Sequence, residues 1–401
     1  MNKKIISLLL CFCLVLFSPI SIFAYSNYIW SSSLDSIYTN SSETNSIDNS
    51  LNLESGAAVL IEQNSGKVLY DKNMHEQLRP ASVTKVMTIL LIMEAIDSGK
   101  ISYDTQIPCS ENASSMGGSQ IWLDTTETLS VNDMLKAICV VSANDCTVAM
   151  AEYLEGSQEA FVQKMNEKAK ELGMNDTCFK NCHGIDEDGH ITSAYDIALM
   201  SKELLTKHPD ITKYTTIYMD SLRNGKSELV NTNKLIRTYN GITGLKTGST
   251  SLALYNLSAS ATRNDLSLIA VIMKAPTTKL RFAEAQKLLD YGFSNYSYIK
   301  LGDSGDTVQS VPVNKGIESS INATVENTSG VLIPKGKEKQ IEKNIILQDN
   351  LSAPIYKGQK IGEITYNLDG NNLAIIDLVA SNDVPSIGLR EYVLYGFWKM
   401  V

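Results

Sequence analysis

The chain has 401 residues, of which 43% are hydrophobic and 20% are charged. These proportions are typical of a globular protein with room for two domains. The formal net charge is −9, which argues against a nucleic-acid partner, because binding to phosphates requires clustered lysine and arginine.

The first 24 residues have the pattern of an export signal. A basic start at Lys3 and Lys4 precedes an apolar run from Ile5 to Phe17, and a cleavage site follows at Ala24. The apolar run is short for a membrane span. The pattern predicts an exported, extracytoplasmic protein, located in the cell wall or on the outer face of the cytoplasmic membrane. Residues 25–53, rich in Ser and Asn, are expected to form a flexible linker.

Five cysteines lie after the export signal, namely Cys109, Cys139, Cys146, Cys178 and Cys182. A small, odd number in a chain of this length excludes a disulfide framework. One or two bridges are allowed, and the spacing does not indicate which cysteines would pair.

Residues 54–296 contain two strand hairpins separated by a mostly helical stretch, which predicts an α/β (α+β) domain with an antiparallel central sheet and a helical lobe. A strand hairpin is expected over 57–72 and an apolar helix over 82–97, capped by Gly99 in the left-handed region. Because apolar residues occupy nearly every face of that helix, it should cross the core. A mostly helical stretch over 131–206 precedes a second hairpin and a last helix near 280–292.

Beyond this domain, residues 297–386 consist of short alternating segments separated by Gly, Asp and Pro, which predict a small all-β domain. The final segment, 387–401, is an aromatic and aliphatic run with few charges. It is typical of an amphipathic helix lying on a membrane surface, and equally of a last strand or a docked helix.

A serine and a lysine stand three residues apart in the stretch PASVTKVMT, at Ser82 and Lys85. Positions i and i+3 share a helix face, so the amine can reach the hydroxyl. Free backbone N–H groups and the positive end of the dipole favour negative charge at a helix N-terminus. A lysine removed from water there can act as a base. By itself such a pair is common in helices.

Two further motifs follow Ser82 and Lys85 in order. Ser142-Ala143-Asn144 lies between two apolar helical patterns, and Lys246-Thr247-Gly248 lies on a predicted strand. Glycine at the third position of the latter would let a ligand approach the backbone closely. The order S-x-x-K, S-x-N, K-T-G is the signature of serine β-lactamases and penicillin-binding proteins.

Over about residues 55–293, and more loosely in the β domain, the chain resembles the serine-type D-alanyl-D-alanine carboxypeptidases, which are low-molecular-weight penicillin-binding proteins. The phrases VVSANDCTVAMAEYL, TSAYDIALM and GLKTGSTS support the resemblance. It implies a β-lactamase/transpeptidase-like fold and removal of the terminal D-alanine from the peptidoglycan pentapeptide ending in D-Ala-D-Ala. It also implies acylation by β-lactam antibiotics, and neither a metal nor a cofactor.

The resemblance assigns roles in bond cleavage to three residues. Ser82 would be the acylated nucleophile, Lys85 its general base, and Ser142 a proton relay toward the leaving amine. Amide cleavage needs a nucleophile, a base and a proton donor, and no histidine or aspartate is required if a lysine is kept neutral.

The resemblance also assigns residues that bind the substrate. Asn144 would hold its backbone, while Lys246 and Thr247 would bind its terminal carboxylate. The N–H groups of Ser82 and Ser249 would form the oxyanion hole, and Arg281 stands where the family has an arginine near that carboxylate. Departures from the family pattern occur at Thr243, where relatives often have Asp, at Cys182, where proline is usual, and in STSLALYN after Lys246-Thr247-Gly248.

Three alternatives remain open on the sequence. A serine β-lactamase would need a deacylating pair, and Glu171 with Asn175 has the spacing found in class A enzymes. A non-catalytic wall-binding scaffold would keep the fold without turnover. A zinc site could use the cluster Cys178, Cys182, His183 and His190, although its spacing matches no common zinc motif.

Overall fold

The computed structural model describes residues 51–388. Its α-helices are α1 (Lys85–Asp97), α2 (Glu111–Ser114), α3 (Val131–Val140), α4 (Asn144–Glu155), α5 (Gln158–Glu171), α6 (Ala194–Lys207), α7 (Thr212–Thr215), α8 (Leu235–Thr238) and α9 (Thr278–Asn295). Strands of the first domain are β1 (Ala57–Glu62), β2 (Val68–Lys72), β3 (Gln106–Pro108), β4 (Thr128–Ser130), β5 (Met219–Leu222), β6 (Ser227–Val230), β7 (Ile242–Thr250), β8 (Leu254–Arg263) and β9 (Leu266–Ala275).

The first domain is built on a five-stranded antiparallel sheet with strand order β2-β1-β9-β8-β7. The turn between β8 and β9 places Asn264 and Asp265 at positive φ, a conformation these residues tolerate better than most and that suits two-residue hairpins. All six residues of β1 are buried, because α9 packs on one face of the sheet and the helical lobe on the other. Strand β7 forms an edge of this sheet and carries the K-T-G sequence.

Helix α1 crosses the core, as its apolar sequence predicts. Of its 13 residues, 10 are buried, and they include Lys85 at its first position. A 3-10 turn, Ala81–Thr84, precedes the helix and contains Ser82. Gly99 follows the helix with φ +75, in the predicted left-handed conformation. The single lysine of this helix is therefore placed inside the protein.

The second domain is all-β. It contains β10 (Tyr296–Gly302), β11 (Thr307–Pro312), β12 (Ser320–Val325), β13 (Ser329–Pro334), β14 (Glu342–Leu347), β15 (Lys360–Leu368) and β16 (Asn371–Ala380). Five of these strands form an antiparallel sheet in the order β11-β12-β16-β15-β14, while β10 pairs with β13. The predicted fold class, an α+β domain with a central antiparallel sheet followed by a small β domain, is confirmed.

Several sequence predictions fall on residues that the structure does not describe. They are the export signal, residues 25–50 of the linker, and the tail from residue 389 onward. Within residues 51–388, none of the helices has the length and apolar character that a membrane crossing requires. All five cysteines of this range are free thiols, so neither of the allowed bridges forms among them.

Candidate active site

The hydroxyl of Ser82 and the amine of Lys85 face each other at the start of α1. Lys85 Nζ lies 3.2 Å from Ser82 Oγ, because residues i and i+3 are eclipsed across a 3-10 turn. The lysine is 0% exposed, whereas Ser82 is partly open to solvent. The nucleophile candidate is thus accessible from outside and its amine partner is not.

The surroundings of Lys85 favour its neutral form. Burial lowers the pKa of this amine well below its usual value, and the positive charge of Lys246 lowers it further. Two oxygens, Asn144 Oδ1 and the carbonyl of His183, each lie 2.6 Å from Lys85 Nζ. A neutral amine has two N–H groups for these two acceptors, and its lone pair then faces the Ser82 hydroxyl. The geometry therefore suits proton transfer from Ser82 to Lys85.

The loop that supplies the His183 carbonyl packs directly on the turn that contains Ser82. Gly184 has φ +91, and a Cβ at this position would lie 1.9 Å from the carbonyl oxygen of Ala81. Only glycine permits this close approach. The side-chain oxygen of Asn181 accepts a hydrogen bond from Gly184 N at 2.7 Å, which fixes the loop against the turn.

A buried hydrogen-bond chain that sequence reasoning missed also fixes this turn. The N–H of Lys180 donates to His190 Nδ1 at 2.9 Å, so His190 Nε2 carries the proton and donates to Thr84 Oγ1 at 2.8 Å. The Thr84 hydroxyl donates in turn to the carbonyl of Ala81. Ala81 has φ +49, a conformation that costs an L-residue about 1–2 kcal/mol. These hydrogen bonds offset the strain at Ala81, which immediately precedes Ser82.

Ser142 and Asn144 lie in the turn between α3 and α4, as expected. Ser142 has φ +65, and its buried Oγ has no hydrogen-bond partner. The amide of Asn144 is oriented by Gly117, whose carbonyl accepts from Asn144 Nδ2 at 2.7 Å, so that Oδ1 points to Lys85. An unpartnered buried hydroxyl is costly. Ser142 is therefore poised to hydrogen-bond with a bound ligand.

Strand β7 forms the opposite wall of the site. Lys246 is 1% exposed, and burial lowers its pKa to about 7. Thr247 Oγ1 lies 2.7 Å from Thr232 Oγ1, a contact not anticipated from the sequence. A Cβ at Gly248 would lie 2.9 Å from Ser82 N and 2.8 Å from Val83 N. The glycine is thus required by the protein's own backbone, whereas the sequence interpretation attributed it to a ligand.

The last two predicted site residues are placed differently from each other. Arg281 is buried behind β7, where its Nη1 donates to the carbonyls of Gly248 and Asn256 at 3.1 and 3.2 Å. Its guanidinium therefore supports the strand. Ser249 is exposed and follows Gly248 on β7, opposite Tyr255.

Comparison with known proteins identifies the family. A model described as D-alanyl-D-alanine carboxypeptidase matches residues 42–277, and one described as penicillin-binding protein 5, C-terminal domain, matches 296–386. The carboxypeptidase DacF of Bacillus subtilis is 48% identical over 85% of this chain and 88% of its own length. The chain belongs to the D-alanyl-D-alanine carboxypeptidase family. The carboxypeptidase is of the serine type.

Solved structures agree with this assignment. Penicillin-binding protein 5 from Haemophilus influenzae is 34% identical to the carboxypeptidase, with a TM-score of 0.71 over 83% of this chain and 98% of the other. Penicillin-binding protein D2 from Listeria monocytogenes, solved in an ampicillin-bound form, is 31% identical with a TM-score of 0.56. That match covers 61% of this chain and 99% of the other. The first match spans both domains.

The residues of the β-lactamase alternative lie away from Ser82. Glu171 ends α5 with its carboxylate 2.7 Å from Lys168, and Lys168 also contacts Glu94. Glu94 is nine residues beyond Lys85 on α1, which corresponds to about 14 Å along a helix. The carboxypeptidase therefore has no deacylating glutamate at this position.

The zinc alternative is also contradicted within the described residues. Those residues contain no group of three or more His, Cys, Asp or Glu side chains suited to hold a metal. Both ring nitrogens of His190 are occupied by Lys180 and Thr84. The thiol of Cys182 contacts Gln158 instead, and burial raises its pKa to about 12. His190 instead holds the turn that contains Ser82, through Thr84.

Proposed function

We propose that the carboxypeptidase removes the terminal D-alanine from peptidoglycan stem peptides through an acyl-enzyme on Ser82, and that β-lactams acylate the same serine. The observation that carries the proposal is the contact between Ser82 Oγ and the fully buried Lys85 Nζ, 3.2 Å apart. Asn144 and His183 accept both protons of a neutral amine, which leaves its lone pair for the serine.

In the acylation step, Lys85 accepts the Ser82 proton as Oγ attacks the carbonyl carbon of the penultimate D-alanine. The negative charge that develops on the carbonyl oxygen is stabilised by the backbone N–H groups of Ser82 and Ser249. Breaking the C–N bond releases D-alanine, whose nitrogen receives a proton through Ser142. Water then hydrolyses the ester, which restores the Ser82 hydroxyl and releases the shortened peptide.

Substrate orientation is assigned to the walls of the site. Lys246, whose pKa is lowered to about 7 by burial, attracts the terminal carboxylate in its protonated form. Thr247 offers a hydroxyl to the same group, and Asn144 an amide to the peptide backbone. Arg281 acts through β7, since its guanidinium binds the Gly248 carbonyl.

Mass spectrometry after treatment with benzylpenicillin tests the assignment. We expect the peptide that contains Ser82 to gain the mass of the intact antibiotic, because opening of the lactam ring releases no part of the molecule. Lys85→Arg should lower the labelling rate by about 10²–10⁴-fold, since arginine does not give up its proton. An adduct on another peptide, or full-rate labelling of the arginine variant, would overturn the proposal.

We also assign the carboxypeptidase to the cell wall or the outer face of the cytoplasmic membrane, with residues 387–401 as a peripheral membrane contact. The support is the export pattern of residues 1–24 and the aromatic, aliphatic sequence of the tail. Deletion from Ile387 onward should release the protein from the membrane fraction. Retention after this deletion would exclude the tail as the anchor.

A further inference from the structure

Trp122 is the most exposed of the large hydrophobic residues in the described part of the chain. Its side chain is 76% exposed, whereas its neighbours Ile121 and Leu123 are 4% and 3% exposed. It has φ +55, a rare conformation for a bulky residue. An exposed indole held in a strained backbone has no role in packing, and such strain is typical of binding sites.

The backbone on both sides of Trp122 is fixed by a buried carboxylate. Asp145, which is 0% exposed, accepts hydrogen bonds from Ile121 N and Leu123 N, both at 3.0 Å from Oδ2. Arg223 donates to the carbonyls of Ile121 and Trp122 at 2.8 and 3.3 Å. The loop is therefore rigid, and a ligand that stacks on Trp122 would not have to order it first.

This loop borders the active site. The carbonyls of Gly117 and Ser119 accept hydrogen bonds from the side chain and backbone of Asn144, both at 2.7 Å. Asn144 also contacts Lys85, and it precedes Asp145 in the chain. One short segment therefore connects the base of the reaction to the exposed indole.

The β5–β6 hairpin gives the approximate distance from the carboxylate site to Trp122. One end of the hairpin leads to Thr232, which contacts Thr247, and the other end carries Arg223, which contacts Trp122. The five residue steps from Ser227 to Thr232, of which Ser227–Val230 is strand β6, span at most about 17 Å. An extended pentapeptide also spans about 17 Å, so a stem peptide bound at Thr247 has the reach to bring its far end to Trp122.

We propose that Trp122 is a stacking platform for a sugar ring of the glycan strand that carries the stem peptide. An indole has a flat apolar face and an N–H donor at its edge, which match the C–H face and the polar substituents of a pyranose. Ser119 and Asp124 are exposed on the same loop and offer hydrogen bonds to ring hydroxyls. This inference rests on the proposed function, because the D-Ala-D-Ala end bound at the active site is what brings the sugar of the substrate to the loop.

Kinetics with two substrates test the platform. For Trp122→Ala, kcat/KM for a disaccharide-linked pentapeptide should fall about tenfold, while kcat/KM for the free pentapeptide and the rate of benzylpenicillin acylation stay unchanged. Trp122→Phe should show a smaller fall in kcat/KM for the disaccharide-linked pentapeptide, because phenylalanine keeps an aromatic face. Tyr356→Ala removes another exposed aromatic residue, which is 66% exposed in the β domain. It should change kcat/KM for neither substrate. An equal loss on both substrates, or no loss on either, would overturn the inference.

Fluorescence measures the contact without catalysis. The chain has three tryptophans, Trp30, Trp122 and Trp398, so a variant with Trp30→Phe and Trp398→Phe reports on Trp122 alone. Its emission should change saturably with tetra-N-acetylchitotetraose, a sugar chain without peptide. A response to anionic phospholipid vesicles and none to the sugar would refute the platform in favour of a membrane contact. Failure of the proposed function would appear separately, as absence of the penicillin adduct on Ser82 in the wild type.

Discussion

The contact between Gly248 and the turn around Ser82 allows a sharp test of how the nucleophile is positioned. In Gly248→Ala, the added Cβ would lie 2.8 Å from Val83 N and 2.9 Å from both Ser82 N and the Pro80 carbonyl oxygen. Ordinary contacts begin near 3.4 Å, so β7 and the turn must separate by about 0.6 Å. The atoms that must move are all backbone, and they lie on both sides of the nucleophile.

The size of the effect follows from this displacement. Overpacking of this kind costs about 1–3 kcal/mol, which for a domain of this size lowers Tm by roughly 2–12 °C. A misplacement of about 1 Å costs around a hundredfold in rate, so the alanine variant should be acylated by benzylpenicillin about ten- to a hundredfold more slowly. Stopped-flow acylation and a thermal scan on the same preparation measure both quantities.

Gly117→Ala is the matched control. No atom lies within 4 Å of a Cβ at that position, and its φ is not in the left-handed region, although its carbonyl binds Asn144. This variant should keep the acylation rate and Tm of the wild type. If Gly248→Ala is acylated as fast as Gly117→Ala, the packing of β7 on the Ser82 turn does not position the nucleophile, and the reasoning fails.

Two further predictions concern pH. Because burial lowers the pKa of Lys246 to about 7, kcat/KM for a carboxylate-bearing peptide should fall as pH rises through this value. Lys246→Arg should move this fall in kcat/KM to higher pH, since the guanidinium stays charged. A pH profile in which both proteins decline at the same pH would contradict the role of Lys246. Burial also lowers the pKa of His190 to about 4 from 6.5. This contribution to stability is present above pH 6.5, and it decreases as pH falls toward 4, because the unfolded chain takes up a proton that the folded protein excludes. Between pH 6.5 and 5 the wild type should lose about 1.5 kcal/mol more than His190→Gln, as measured by urea unfolding, whereas parallel pH dependences would refute the buried neutral imidazole.

Much of the site was predictable from the sequence because its chemistry is carried by short motifs on regular elements. The spacing of Ser82 and Lys85 predicted their contact, and the apolar residues after them predicted that the helix start would be buried. The position of Lys246 on a strand followed from local alternation. The two hairpin patterns and the helical stretch between them likewise predicted the antiparallel sheet with its helical lobe.

What the sequence could not provide are contacts between residues far apart in the chain. His190 reaches Thr84 across 106 positions, and Asn144 reaches Lys85 across 59. No local pattern encodes such pairs. The interpretation of Gly248 was incomplete for the same reason: the backbone atoms that require glycine belong to a turn more than 160 residues earlier. The zinc and β-lactamase alternatives depended on spacing alone, which does not reveal where a side chain points.

The burial of the cysteines has a consequence for folding outside the cytoplasm, where exposed thiols are readily oxidised. Burial raises the pKa of Cys139 to about 12, as it does for Cys182, and raises that of Cys146 well above its usual value. At neutral pH these thiols therefore stay protonated, and the ionised form is the one that reacts. Once folded, these three sulfurs are inert toward mispairing, so the native state needs no disulfide partner to protect them.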